Sequence, residues 1–298
     1  MKIGYPCINL SMDCRSSRTF RLKNYSESKL IETVYGNLNC LQKILEYNLK
    51  YNFYFFRITS DLIPFGSHPI MKFEWQDYFK SKFHEIGSFI KKHEMRITMH
   101  PGQYTVLNSI NQKVFQNSIK DLEYHVQVLD LMKLDKTAKV QIHVGGVYGD
   151  KEKSVKRFIS RFEDLKSNIK KRLIIENDDK SYDLRDCLKI HGYTQTPIVF
   201  DVYHHECLNN GEAINKAFEI FTNTWNKEDG LPIVHYSSEH PKKGKPSHTD
   251  HINLEHFRFF LNKTKDYDFD IMLEIKDKEK SALEALNILD LDSRLTLK

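Results

Sequence analysis

Glycine and proline are sparse, 12 and 8 in 298 residues, and nowhere gather into a stretch that reads as a linker between domains. Cysteine is scarcer still: Cys7, Cys14, Cys40, Cys187 and Cys207 are scattered, odd in number and never spaced C-x-x-C. That excludes a thiolate zinc ribbon and argues against a disulfide framework, so all five are expected as reduced thiols. No apolar run approaches the roughly 18 residues of a membrane span, and Lys2 leads straight into Ile3-Gly4-Tyr5-Pro6 without the apolar core of a secretory signal. An intracellular protein with no membrane partner is expected. G-x-G-x-x-G after the first strand, G-x-x-x-x-G-K-[ST], G-x-S-x-G and H-E-x-x-H are all missing, which removes the dinucleotide, P-loop, serine-hydrolase and zincin readings. Neither sign of charge dominates. An excess of +5 over 45 basic and 40 acidic residues agrees with a polyanionic partner without establishing one.

What is present is an alternation. Short runs rich in β-branched and aromatic residues predict strands over 2–6, 53–59, 96–101, 139–145, 172–177, 197–203, 231–237 and 269–276. Between them, segments of helical period cover 28–50, 74–93, 114–132, 152–169, 183–191, 212–225 and 253–262, with 279–289 after the last. Eight strands, each followed by a helix, predict one (β/α)8 TIM barrel filling a single domain over 1–298, with an open doubly wound sheet as the alternative.

Residues that can hold metals fall at the ends of these strands: His100, His143, Glu176, Asp201 with His204, His235, and Glu274. In a barrel those ends converge on one mouth. Three carboxylates gathered there repel one another once desolvated, and divalent cations remove that difficulty. A single histidine such as His143, within Val140-Gln141-Ile142-His143-Val144, is more often a hydrogen-bonded core residue, so the weight lies in the repetition. His84, His93, His125 and His191 fall in or at the ends of helical segments and are expected on the surface. Glu176 is followed by Asn177-Asp178-Asp179, which offers no cation to pair with it, whereas Glu274 has Lys276 and Lys278 close by. Imidazole and carboxylate without thiolate suit Zn, Mn or Fe. Lys242-Lys243-Gly244-Lys245, after the seventh strand, is a basic loop placed for phosphate contacts, with a merely solvated loop as the alternative. Gln103 and Tyr104 follow His100 through Pro101-Gly102, a turn that projects them from the mouth, where an aromatic and an amide can fill an opened base stack.

The sequence resembles the ultraviolet-damage endonucleases, related in fold to endonuclease IV and the xylose isomerase-like barrels. The likeness rests on Gly4-Tyr5-Pro6 with Asn9, Arg57-Ile58-Thr59-Ser60 leading to Pro64 and His68, Met99-His100-Pro101-Gly102-Gln103-Tyr104, Ile142-His143-Val144-Gly145-Gly146, Glu176-Asn177-Asp178, Asp201-Val202-Tyr203-His204-His205, His235-Tyr236-Ser237-Ser238, His248-Thr249-Asp250 and Met272-Leu273-Glu274. The resemblance implies up to three divalent ions, manganese by expectation. Glu176, Asp201, His235 and Glu274 would hold one, His100 and His143 with Glu176 a second, and His204 with His248 a third. It also implies catalytic roles for Glu176, Glu274, His68 and His235, and DNA contacts by Tyr5, Asn9, Gln103 and Tyr104, to which the basic loop would add Lys243 and Lys245. The implied reaction is ATP-independent incision of damaged double-stranded DNA immediately 5′ to pyrimidine dimers and (6-4) photoproducts, with abasic sites as further substrates, by a monomer. One departure is visible: Ile233 stands where the family is expected to carry a lysine, so no role of a modified lysine carries over. The rival readings are a metal-dependent sugar isomerase or epimerase on the same barrel, an abasic-site endonuclease, and a non-catalytic damage-binding module.

Overall fold

The expected strands form in order, each slightly shorter than its hydrophobic run: β1 (Ile3–Pro6), β2 (Phe55–Ile58), β3 (Arg96–Met99), β4 (Lys139–His143), β5 (Leu173–Glu176), β6 (Ile198–Asp201), β7 (Ile233–Tyr236) and β8 (Asp270–Leu273). This computed structural model describes residues 1–290 and 292–296, so positions 291, 297 and 298 of the expected 1–298 span lie outside the described residues. Every neighbouring pair is parallel, and β1 pairs with β8 as well as β2, closing the barrel. Gly4 lets β1 approach β2 closely, since a Cβ there would meet the Phe55 carbonyl oxygen at 1.6 Å.

Around the barrel run α1 (Glu27–Lys50), α2 (Trp75–Tyr78), α3 (Lys80–Lys92), α4 (Gln112–Leu131), α5 (Lys151–Glu163), α6 (Ser167–Arg172), α7 (Leu184–Thr194), α8 (Val202–Cys207), α9 (Ile214–Thr222), α10 (Leu254–Lys263) and α11 (Glu279–Leu289). Polar caps start several of them: Ser26 accepts from the Lys29 amide, Asn111 from Lys113 and Val114, and Asp150 from Lys153. Two expected helices are each a pair. The 74–93 segment breaks at Phe79 and the 152–169 segment after Glu163, and at both breaks a hydrophobic side chain, Phe79 or Leu165, turns into the core. Among the described residues no helix is long and apolar enough to cross a membrane.

Side chains alternate across a strand, so residues two apart point the same way. Phe55, Ile174, Val199, Ile233 and Met272 form a separate, fully buried apolar cluster. Each lies two positions before Arg57, Glu176, Asp201, His235 and Glu274 respectively. The barrel thus has an apolar floor beneath a polar layer, and Ile233 belongs to that floor.

Two expectations are corrected. Cys14 and Cys40 are not thiols but a disulfide, with Cα atoms 5.8 Å apart, because the segment after β1 folds back on α1; Cys7, Cys187 and Cys207 are free. His125 is not a surface residue: it is completely buried on the inner face of α4, in the stripe of Ser118, Asp121, Leu122 and Leu129.

Candidate metal centre

The strand ends bring Glu176 into the middle of the mouth. It is paired in register with His143 on β4, while Asp201 on β6 is paired with His235 on β7. Glu176 Oε2 lies 3.6 Å from Nε2 of both His100 and His143. Its Oε1 lies 2.7 Å from His235 Nδ1, which is 3.3 Å from Glu274 Oε1. On the far side, His204 Nδ1 is 3.7 Å from Asp201 Oδ2 and 3.9 Å from Glu176 Oε1. Three groups could therefore each hold an ion: His100, His143 and Glu176; Glu176, Asp201 and His204; and Glu176, His235 and Glu274. The first has the composition expected for the second site. Asp201 is grouped with Glu176 and His204, and it is also the register partner of His235. His248 stands beside His204, ring centroids 5.6 Å apart.

Several features fit cations. His100 Nδ1 is 2.8 Å from the Pro101 carbonyl oxygen, His204 Nδ1 is 3.0 Å from that of Asn177, and His248 Nδ1 is 3.2 Å from that of Glu274. A carbonyl only accepts, so each Nδ1 carries a proton and Nε2, once deprotonated, is the nitrogen left to face a cation, the arrangement in which backbone partners orient metal-binding imidazoles. Asp201 is the N-cap of α8: Oδ1 accepts from the His204 amide at 2.7 Å, while the buried Oδ2 has no hydrogen-bond partner. His143 Nδ1 is similarly unsatisfied.

The charges are strongly coupled to one another. Burial alone would raise the Glu176 carboxyl, but His235, His143 and His100 around it hold it well below its ordinary range. Glu274 is likewise held low against its burial, by Arg57 and then His235. Asp201 is raised, chiefly by burial. Burial and the Arg57 charge push His100 down to about 3, whereas Asp201 and Glu176 outweigh the burial of His204 and lift it to about 9.

Sequence reasoning assigns no role to Arg57 and Gln141. Arg57 is 5% exposed, and its Nη2 lies 2.7 Å from Glu274 Oε1, 2.9 Å from His235 Nε2 and 3.4 Å from Gln141 Oε1. Gln141 Nε2 in turn donates to Glu176 Oε2 at 3.1 Å. Their signal is there to be read: Arg57 is the one polar residue of β2, and Gln141 shares the inward-facing alternation of β4 with His143.

The remaining candidates divide. Gln103 and Tyr104 are exposed on the loop after β3, Tyr104 by 69%, and a Cβ at Gly102 would come within 2.5 Å of the Tyr104 ring. Lys243 and Lys245 are exposed after β7, with Lys245 Nζ donating to the Glu206 carbonyl oxygen. His68 is exposed on the loop after β2; its Nδ1 accepts from the Ile70 amide, and among its described contacts none reaches the central cluster. Tyr5 and Asn9 are corrected as direct DNA contacts. Tyr5 is fully buried, donating to Asn48 on α1 at 2.6 Å and accepting from Asn9 at 2.7 Å, because its position in β1 faces the helix layer rather than the mouth.

Fold and site together define a (β/α)8 barrel whose C-terminal mouth is lined by imidazole and carboxylate groups able to hold several divalent cations. Residues 1–296 match the family described as UV-endonuclease UvdE, and the chain belongs to that family. It is 44% identical over 291 residues to the UV DNA damage endonuclease of Clostridium perfringens, covering 97% of this chain and 71% of the relative. The crystal structure of SacUVDE superposes with a TM-score of 0.93 at 45% identity, covering 97% and 98% of the two chains. Endonuclease IV from Thermus thermophilus, at a TM-score of 0.61 and 13% identity over 97% and 98% of the chains, shares the fold.

Proposed function

We propose that this chain is a UV-damage endonuclease that nicks duplex DNA immediately 5′ to cyclobutane pyrimidine dimers and (6-4) photoproducts, without ATP, and that it acts as one domain and a monomer. Abasic sites fit the same chemistry. The carrying observation is that one buried carboxylate, Glu176, is common to three groups of ligand-type side chains at the barrel mouth. Glu176 with His100 and His143, with Asp201 and His204 beside His248, and with His235 and Glu274 would hold the ions; manganese suits the imidazole–carboxylate set, and zinc is the other candidate. Divalent cations bound there supply stabilisation of the charge that builds on the phosphoryl group and the departing 3′ oxygen.

The chain's own residues do the rest. Arg57 and Gln141 fix Glu274 and Glu176 in orientation from below, and the apolar floor with Ile233 keeps water from beneath them. Glu176, Glu274 and His235 supply the acceptors and proton-carrying groups nearest the reacting phosphate, and His68 would join them from the rim if DNA draws it inward. Gln103 and Tyr104 project where a duplex would meet the mouth, and Lys243 and Lys245 offer phosphate contacts.

The test is nicking of irradiated and unirradiated supercoiled plasmid by the metal-loaded protein, before and after chelation. Nicking confined to irradiated plasmid, abolished by chelator and restored by Mn²⁺, is expected. Nicking in excess chelator would sink the metal chemistry, and binding of irradiated DNA without nicking would favour a damage-binding module.

A further inference from the structure

Helix α4 runs behind the loops that follow β2 and β3, and one turn of its inner face is polar. Asp121 is 5% exposed, and its nearest ion-pairing neighbour among the described residues is His125, 3.9 Å away. Its two oxygens serve two loops. Oδ2 accepts from Thr105 Oγ1 at 2.6 Å, and Oδ1 accepts from Ser67 Oγ at 2.8 Å. Thr105 directly follows Tyr104, and Ser67 directly precedes His68. The next positions on the helix brace the same loops. Tyr124 donates to the Ser60 carbonyl at 2.9 Å, and His125 Nε2 lies 2.9 Å from Ser60 Oγ, whose hydroxyl donates to the His100 carbonyl at 2.6 Å.

A buried carboxylate answered by two hydroxyls is a weak device for stability, since desolvation penalises the charge and neither donor is a cation. It is a strong device for direction. Two acceptor oxygens at a fixed spacing hold Thr105 relative to Ser67, and the backbone of Tyr104 is fixed at one side by Thr105. Displacement of a recognition group by even about 1 Å weakens its action, so such bracing belongs under groups that must meet a ligand at a set height.

We propose that Asp121 is a specificity-determining positioning residue: by clasping Thr105 to Ser67 it holds Gln103 and Tyr104 in the pose from which they distinguish damaged from intact duplex. This rests on the DNA-nicking function proposed above. The experiment uses the full, metal-loaded chain and compares the dissociation constants for an irradiated and an undamaged duplex of one sequence. Thr105→Val removes the hydroxyl at constant shape, Thr105→Ser restores it, and Asp121→Asn weakens the acceptor. Thr105→Val should lower the preference for irradiated duplex at least tenfold and Asp121→Asn should act in the same direction. Thr105→Ser should keep the wild-type preference, and both Thr105 variants should keep wild-type metal content and melting temperature. Combined with Gln103→Ala and Tyr104→Ala, Thr105→Val should add no further loss, because the clasp acts through those two side chains. Wild-type preference in Thr105→Val, additive losses in the combined variant, or loss of metal or folding in Thr105→Val overturns the proposal. A wild-type protein that prefers neither duplex instead sinks the function on which it rests, so the two failures are told apart.

Discussion

Glu176 presents its two oxygens to different histidines, Oε2 to His100 and His143 and Oε1 to His235, and no other side chain at the mouth is common to all three groups. Glu176→Gln keeps the shape but removes the charge that would neutralise more than one cation. Nicking should fall by more than about 100-fold, beyond the loss typical when only a ligand's partner is changed. Affinity for DNA, carried by phosphate contacts away from the cluster, should remain within a few fold. A metal-replete variant that still nicks at the wild-type rate would refute the assignment. His204 gives a second prediction at the same scale. Its pKa of about 9 lies above the ordinary 6.5, so in the metal-free protein its attraction to Asp201 and Glu176 stabilises the fold fully below about pH 6.5 and is lost as pH rises through 9. The proton on Nε2 must leave before that nitrogen can bind a cation. Titration of Mn²⁺ into metal-free protein at pH 7 should release about one proton from this residue, read by calorimetry in buffers of differing protonation enthalpy. No release would remove His204 from the ligand set.

Among the elements, the segment between β1 and α1 is anchored to α11 and to α1. Ser11 Oγ donates to Glu279 on α11 at 2.8 Å, and Cys14 is joined to Cys40 on α1 across 26 residues. Closing a loop of that length in the unfolded chain corresponds to about 3.5 kcal/mol of stability. Cys14→Ser with Cys40→Ser should therefore lower the unfolding free energy by that amount, and the wild-type protein in reductant should follow it. An unchanged denaturation midpoint in both would show that the pair contributes nothing. The disulfide illustrates what a sequence does not convey, since scattered cysteines carry no record of which segments fold back on which. Most strands are legible because each is a short, nearly continuous apolar run, as strands buried on both faces must be, while β3 and β4 alternate polar with apolar residues, and the ligands are legible because polar residues stand at the C-terminal ends. His125 escapes for a simpler reason. Taken only as a histidine in a helix it suggests surface, yet it lies four residues before Leu129 and three after Leu122, on the face that packs inward. Tyr5 and Asn9 mislead because their motif places them near the mouth by neighbourhood, while the alternation of β1 turns Tyr5 toward α1.

For the whole molecule, a net charge of +5 is small beside 45 basic and 40 acidic residues, so the field of the protein is not a strong general attractor for DNA. Attraction must then come from a few cations placed near the mouth. Lys243 and Lys245 are exposed on the segment between β7 and β8, and that segment also carries His248, whose Nδ1 faces the Glu274 carbonyl and whose ring lies beside His204. A duplex that sets a phosphate over the cluster would bring its backbone within reach of this loop. Each phosphate neutralised releases condensed counterions, which steepens the fall of affinity with salt by about 0.9 in the log–log slope per contact. Lys243→Ala with Lys245→Ala should flatten the slope by at most about 2 and weaken binding to irradiated and undamaged duplex alike, because phosphate contacts carry no information about the bases. The measurement is the dissociation constant for both duplexes across a salt series. An unchanged slope would leave the loop as solvated surface, and a loss confined to irradiated duplex would move lesion recognition to this loop and away from Gln103 and Tyr104.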